Sequence, residues 1–327
     1  MGARDAPAPL WVVDWSDSED DDFRAACAEA GVEARILRGP ALGTTVGTRF
    51  HRLRSWPTYF TLAAGGLRQA HAAPLVCWQP LVGVVAALLR RGRRPPLVML
   101  NPLLGDHAES RLDRLVLAGC RRADHLVFFS RPGLEAGVRL GLDPGRVSFV
   151  PLGARARRER PARAGSYLLA AGREQRDWET LAEAAEGLPV EVRVLGPSSL
   201  PPGPLRVLPQ VDRSRFLELL EGALALVVPL RAGSRAAGQL AVLDAMSVGR
   251  AVAATEAPGT VDYVTAETGL LVPPADPASL RQALERVCEP SVAEAMGVAA
   301  LQAARGPFAL ERFVGDVDAL AHELTPG

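Results

Sequence analysis

The feature that narrows the folding options of this chain most is an alternation, run through twice, of short apolar stretches with longer amphipathic ones. Residues 10–14, 34–37, 75–78, 97–100, 126–129 and 147–151 are nearly continuous apolar runs of strand length. Helical patterns lie between them, near 20–30, 50–70, 81–90, 108–121 and 131–140. Strands that read as unbroken apolar runs have both faces covered, and strand–helix alternation specifies a parallel sheet with helices on either side. The segment 153–165, rich in arginine and without apolar periodicity, then reads as a solvated linker. After it the alternation resumes: strands at 167–171, 190–195, 224–229 and 251–255, helices at 178–186, 213–220, 239–248 and 278–287, and a short strand after the Thr268-Gly269 turn. Helices at 291–304 and 309–324 end the chain.

The expectation is therefore α/β architecture with two Rossmann-like, doubly wound parallel sheets facing a cleft. The first domain spans 1–153, the linker 154–165 and the second domain 166–305, while a final helix at about 306–325 packs back onto the first domain. A length of 327 residues fits two cores better than one.

Composition excludes several function classes. With 48% hydrophobic and 23% charged residues the chain is too apolar for disorder, and 37 basic against 37 acidic residues leave no global field for nucleic acid. Every basic residue is arginine, so a phosphate must be gripped by guanidinium forks or backbone amides. Cys27, Cys77, Cys120 and Cys288 are scattered in apolar surroundings and form no metal or disulfide framework. The N-terminus lacks the apolar core of a signal peptide, and the longest apolar stretch, 80–89, is about half a bilayer span. A cytoplasmic protein is expected. The acidic run 17–22 reads as a solvated helix start. Arg90, Arg91, Arg93 and Arg94, with Arg52 and Arg54 before Trp56, suit a helix end better than an anionic membrane, so peripheral membrane contact is the lesser expectation.

Ligands of doubly wound sheets sit beyond the carboxyl ends of the strands. Three such segments in the second half look chemically specialised. After the first strand comes Gly172-Arg173-Glu174-Gln175-Arg176-Asp177, where glycine permits close approach and two guanidiniums match diphosphate oxygens, or else pair with Glu174 and Asp177. A Gly/Ser/Ala-rich loop, Gly233-Ser234-Arg235-Ala236-Ala237-Gly238-Gln239, runs from the next strand but one into a helix whose free amides suit a phosphate. Asp244, one to two turns inside that helix, is placed for ribose hydroxyls or is simply an exposed acid. The third segment, Thr255 to Val264 followed by Thr268-Gly269, says little alone.

Taken in order, Gly172-Arg173 with Arg176, Gly196, Gly238-Gln239, Leu243-Asp244-Ala245-Met246, Gly249 to Thr255, Asp262-Tyr263-Val264 and Gly269 to Pro273 resemble the donor domain of retaining family-4-type (group 1) GT-B glycosyltransferases. Ala123 to Ser130 and Val147 to Gly153 are similar to the end of that family's acceptor domain, and the likeness fades before about residue 95. The resemblance implies a glycosyltransferase that takes a nucleotide-diphosphate sugar, UDP-type foremost, as co-substrate, with no resident cofactor or metal. It further implies that Gly172, Arg173, Arg176, Gly196, Ser234, Gly238, Gln239 and Asp244 hold the donor, with Asp244 at the family's ribose-binding glutamate. The family's other glutamate falls on Ala236, and its first glycine-rich loop reads Asp14-Trp15-Ser16-Asp17 here. Ser234 or Gln239 is then the expected substitute for the lost polar contact.

On the acceptor side, Asp106 and His107 follow the fourth strand, where Asp106 would orient or deprotonate an acceptor hydroxyl and His107 would touch the transferred sugar; an N-cap and a surface histidine are the plainer reading. His51, His71, His125 and His322 read as structural. The partners expected are a nucleotide sugar and a small-molecule, natural-product or glycan acceptor, with no nucleic acid. Rival readings are a nucleotide-sugar epimerase, a non-catalytic nucleotide-sugar-binding partner subunit, and a pseudo-glycosyltransferase forming a C–N bond.

Overall fold

The computed structural model describes residues 7–15, 17–40, 49–92, 94–102, 104–105, 110–161, 165–172, 175–196, 200, 203–233 and 235–325, with the side chains of 18 and 49–54 outside that description. The chain divides into two units, Met1–Val150 with Leu310–Gly327, and Pro151–Ala309.

In the first unit the order is β1 (Leu10–Val13), α1 (Asp17–Ala30), β2 (Arg35–Arg38), α2 (Arg49–Ala70), β3 (Leu75–Cys77) and α3 (Pro80–Leu89). It continues with β4 (Leu97–Leu100), α4 (Arg111–Arg122), β5 (His125–Phe128), α5 (Arg131–Arg139) and β6 (Val147–Phe149). The second unit holds β7 (Tyr167–Ala171), α6 (Trp178–Ala185), β8 (Glu191–Leu195), β9 (Leu205–Leu208), α7 (Arg213–Glu221), β10 (Ala225–Val228) and α8 (Gln239–Ser247). After these come β11 (Ala251–Thr255), β12 (Gly269–Val272), α9 (Pro277–Cys288) and α10 (Pro290–Arg305). The last helix, α11 (Leu310–Glu323), belongs to the first unit and packs on α1.

Each unit is a six-stranded, wholly parallel sheet. The strand orders are β2-β1-β3-β4-β5-β6 and β12-β11-β10-β7-β8-β9. The central strands are buried along their whole length, as in β4 (Leu-Val-Met-Leu) and β7 (Tyr-Leu-Leu-Ala-Ala), because helices cover both faces. Separate cores result, one around Leu75, Leu97, Met99 and Phe128, the other around Leu168, Val194, Val227 and Leu284. Helix starts follow local chemistry: Ser110 and Asp113 form a reciprocal capping box on α4, and Asp276 accepts from the Ser279 amide at α9.

Two expectations need correcting. Strand β9 was not foreseen: its residues alternate little in burial, its middle is exposed, and it lies at a sheet edge. The arginine-rich segment is no free tether either. The Arg157 amide donates to the Ser247 carbonyl at 2.8 Å, Ala154 bridges Ala309, Arg158 pairs with Glu221, and Arg305 donates to the Arg158 carbonyl. It is laid along the second unit, where Arg158 is paired and residues 157–160 stay exposed.

Of the basic patch after α3, Arg90 is a structural brace. Its guanidinium, 2% exposed, donates to the Pro95 carbonyl at 3.0 Å, to the Arg122 carbonyl and to Asp124, whose carboxylate also accepts from the Leu97 amide. One buried fork thereby ties the end of α3, the start of β4 and the end of α4. No described helix is long and apolar enough to cross a membrane. Replacing Arg90 by Met removes the donor shared by the Pro95 and Arg122 carbonyls and Asp124, while Asp124 keeps the Leu97 amide and Arg146 at 3.7 Å; a loss of about 1–3 kcal/mol is expected, read as a lowered denaturation midpoint for the first unit in chemical unfolding.

Candidate functional site

A parallel sheet offers a crevice where the strand order reverses, because the connections on either side leave in opposite directions. In the second unit that point lies between β7 and β10. The segments leaving these two strands meet there as a short antiparallel pair. Arg176 bridges Leu230, the Asp177 amide donates to the Pro229 carbonyl at 3.0 Å, and the Arg231 amide to the Gln175 carbonyl at 2.8 Å.

Backbone rather than side chains occupies the carboxyl ends of β7 and β8. Gly172 has φ +121° and Gly196 φ +132°, both in the region that favours glycine. A Cβ on Gly196 would stand 2.3 Å from the Gly172 carbonyl oxygen, and one on Gly172 2.3 Å from the Arg176 guanidinium. Arg176 is buried and lies over that glycine, its Nε donating to the Ala171 carbonyl at 2.8 Å. So the structure uses this predicted diphosphate ligand at least partly as a loop brace. Asp177 caps α6, accepting from the Thr180 amide at 3.1 Å and hydroxyl at 2.8 Å. Arg173 and Ser234 lie outside the described residues, as do Asp106 and His107 of the first unit.

The loop after β10 enters α8 through Gly238, at φ +94°, so no N-cap side chain covers the first amides of that helix, which carry the positive end of its dipole. The turn after β11 supports the loop. Thr255 Oγ1 accepts from the Leu230 amide at 2.8 Å, the Thr260 hydroxyl donates to the Thr255 carbonyl at 2.6 Å, and a Cβ on Gly259 would stand 2.0 Å from the Ala237 oxygen. Gln239, the first residue of the helix, is 7% exposed, and its Nε2 is buried with no hydrogen-bond partner. An amide left so carries a desolvation penalty of about 1–3 kcal/mol. Within this unit Gly172, Arg176, Gly196, Gly238 and Gln239 thus all belong to the crevice edge built by β7, β8 and β10.

Asp244 is buried in α8, and its carboxylate is held by a two-pronged contact from Arg213: Nη2 to Oδ1 at 2.6 Å and Nη1 to Oδ2 at 3.1 Å. Arg213 opens α7 behind the Asp212 cap. Sequence reasoning missed it because Arg213 follows the unforeseen β9 and looks like any helix-start arginine. Among the described residues no group of three or more His, Cys, Asp and Glu side chains gathers where it would hold a metal ion.

Residues 154–290 match the family of glycosyl transferases group 1. The match covers most of the second unit. Solved structures share the architecture of the whole chain. Sucrose-phosphate synthase from Thermosynechococcus elongatus superposes with a TM-score of 0.74 at 18% identity, over 97% of this chain and 99% of that one. Anabaena HepE in complex with UDP-glucose gives 0.73 at 16% identity, over 97% and 100%. A glycosyltransferase from Rickettsia africae gives 0.66 at 12%, over 98% of each chain. No curated protein matches by sequence comparison. The fold of the chain is GT-B, and its activity class is glycosyl transfer.

Within the group 1 domain, the double glycine contact is the feature least tolerant of change. Gly196→Ala forces the Cβ against backbone and off a left-handed φ, at a cost of about 1–3 kcal/mol. We expect a lowered melting temperature for the second unit together with weakened nucleotide binding, both read by thermal shift with and without UDP.

Proposed function

We propose that this glycosyltransferase takes a UDP-sugar as donor and transfers the sugar, with retention and without a metal ion, to a hydroxyl of a small-molecule or glycan acceptor. The observation that carries the reading is the start of α8, without an N-cap side chain, and beside it the buried Gln239 Nε2 that has no hydrogen-bond partner. Donors of that kind suit the oxygens of a diphosphate, and Anabaena HepE, of the same fold, is known with UDP, UDP and glucose, and UDP-glucose.

In this reading the backbone of Gly172 and Gly196 makes room for the diphosphate, and Arg173 and Arg176 balance its charge. The α8 amides, Ser234 and the Gln239 Nε2 donate to its oxygens, while Asp244, steadied by Arg213, accepts from ribose hydroxyls. The bond between the anomeric carbon and the phosphate oxygen breaks with its electron pair staying on UDP. The acceptor oxygen bonds to the anomeric carbon from the same face, and its proton passes to the departing phosphate. Stabilising the charge that accumulates on the diphosphate supplies the acceleration. Asp106 and His107 are the acceptor-side candidates. A second reading, a nucleotide-sugar-binding partner that does not transfer, is favoured by Ala236, which replaces a carboxylate of the family's donor-sugar contact.

Calorimetric titration with UDP, GDP, ADP and dTDP tests the donor. UDP is expected to bind best, and Arg173→Ala to weaken it tenfold or more, about 1.4 kcal/mol. Gln239→Leu separates ligand binding from stability: removing a partnerless buried amide leaves the melting temperature unchanged or raised, while UDP affinity falls about tenfold. Equal UDP affinity in that variant removes Gln239 from the site. Turnover of UDP-sugar is expected to survive chelation by EDTA, and a loss restored by a divalent cation contradicts the metal-free mechanism.

A further inference from the structure

A cavity of about 390 Å³ opens in the first unit, and the functional reading above makes no use of it. Arg94 and Pro96 in its wall lead into β4, Asp124 and His125 open β5, Arg146 precedes β6, and Leu324 follows α11. These are the amino ends of three neighbouring parallel strands. Doubly wound sheets take their ligands at the opposite, carboxyl ends. Strands β4 and β5, of four residues each, put roughly 10–13 Å between the two ends. The cavity therefore lies apart from the carboxyl-end crevice of its own sheet.

Arg90 sets the charge balance of this cavity. Asp124, the acid in its wall, is already answered: Oδ2 accepts from the Leu97 amide at 2.9 Å and from the buried Arg90 guanidinium. Arg146 is left with Asp124 Oδ1 at 3.7 Å, beyond hydrogen-bond reach, and its buried Nη2 has no hydrogen-bond partner. A guanidinium held by charge alone, its side chain 26% exposed, keeps donors for an incoming oxygen. Exposed Arg94 enters no ion pair among the described residues. His125 meets Ser148 Oγ through Nε2 at 2.8 Å, which leaves Nδ1 to address a ligand. Burial holds that imidazole below its ordinary range, with Glu323 pulling the other way and Arg146 adding to the fall. It is thus a hydrogen-bonding group more than a countercharge. Glu323 opposes an anion here, one carboxylate against two guanidiniums.

We propose that the cavity at the amino ends of β4, β5 and β6 is an effector site for a phosphate monoester of a small soluble molecule. The chemistry selects the class. Arg94 and Arg146 stand on separate segments, so their forks can share the oxygens of one tetrahedral dianion, whereas a lone carboxylate fills a single fork. The volume is that of a small-molecule site and exceeds what a bare phosphate fills. Pro96 and Leu324 give the remainder of the ligand an apolar wall. A bound ester joins the starts of three strands to the end of α11, and so stabilises the first unit by mass action. The inference stands apart from the donor reading and needs no nucleotide to be tested.

The test is calorimetry and thermal shift on the full chain without nucleotide. The probes are glucose 6-phosphate and glycerol 3-phosphate, set against inorganic phosphate, glucose and citrate, with vesicles of phosphatidic acid to test a lipid source. At least one soluble ester is expected to bind with a dissociation constant below about 1 mM and to raise the melting temperature. Arg94→Ala and Arg146→Gln should each weaken it tenfold or more, while Arg173→Ala, in the donor loop, leaves it unchanged. Arg94 is exposed, so its variant remains informative even if Arg146→Gln fails to fold. The proposal is overturned if neither ester binds, if inorganic phosphate, glucose or citrate binds as tightly as the better ester, or if only the vesicles are bound. It is equally overturned if Arg94→Ala binds as the parent does, or if Arg173→Ala abolishes binding, which places the ester in the donor crevice instead.

Discussion

A parallel sheet whose strand order reverses must open at one edge, and both units of this glycosyltransferase depend on that constraint. At the β7–β10 reversal the departing segments pair with each other through Arg176 and Leu230, which fixes where each loop begins. From that small ladder the rest of the crevice edge follows. The glycine contact at β7 and β8 clears space, the loop from β10 delivers the start of α8, and the turn after β11 buttresses it. The site is mostly backbone, made available by the absence of side chains where two glycines touch.

The fold was legible because burial on both faces leaves an unmistakable mark. Strands such as β4, β7 and β11 read as unbroken apolar runs and lie where those runs predict. Strand β9 escaped because an edge strand with an exposed middle has no such mark, and its loss hid Arg213. The site was legible in part. Glycine positions and the loop into α8 follow from local spacing, since a left-handed φ and a close approach are local demands. Whether a guanidinium braces a loop or waits for a phosphate is not local: Arg176 turns back onto Ala171, which no spacing in 172–177 reveals. The same holds for the partnerless Gln239 amide, whose burial is set by residues distant in sequence.

A chain without lysine stabilises itself in a recognisable way. Arg90, Arg250 and Arg305 each donate to main-chain carbonyls, Arg90 at the end of α4, Arg250 at the end of α7 and Arg305 along the arginine-rich segment. A guanidinium presents several donors in one plane and satisfies helix-end carbonyls that would otherwise lack partners. Arginine therefore serves here as a cap and a seam at the carboxyl ends of helices, and its abundance signals architecture more than affinity for anions.

The placement of α11 bears on how the molecule comes into being. The first unit owns residues up to Val150 and then waits for Leu310–Gly327, with the whole second unit synthesised in between. Domains commonly fold as they leave the ribosome, amino-terminal ones first. Here the earlier unit lacks the helix that covers α1, and Phe313 that buttresses Trp78 and Phe129, until α11 emerges. The second unit, one continuous segment, is under no such delay. Biosynthesis thus inverts the order of the chain: the half made second is the first able to finish, and the half made first is completed only by a helix made after it.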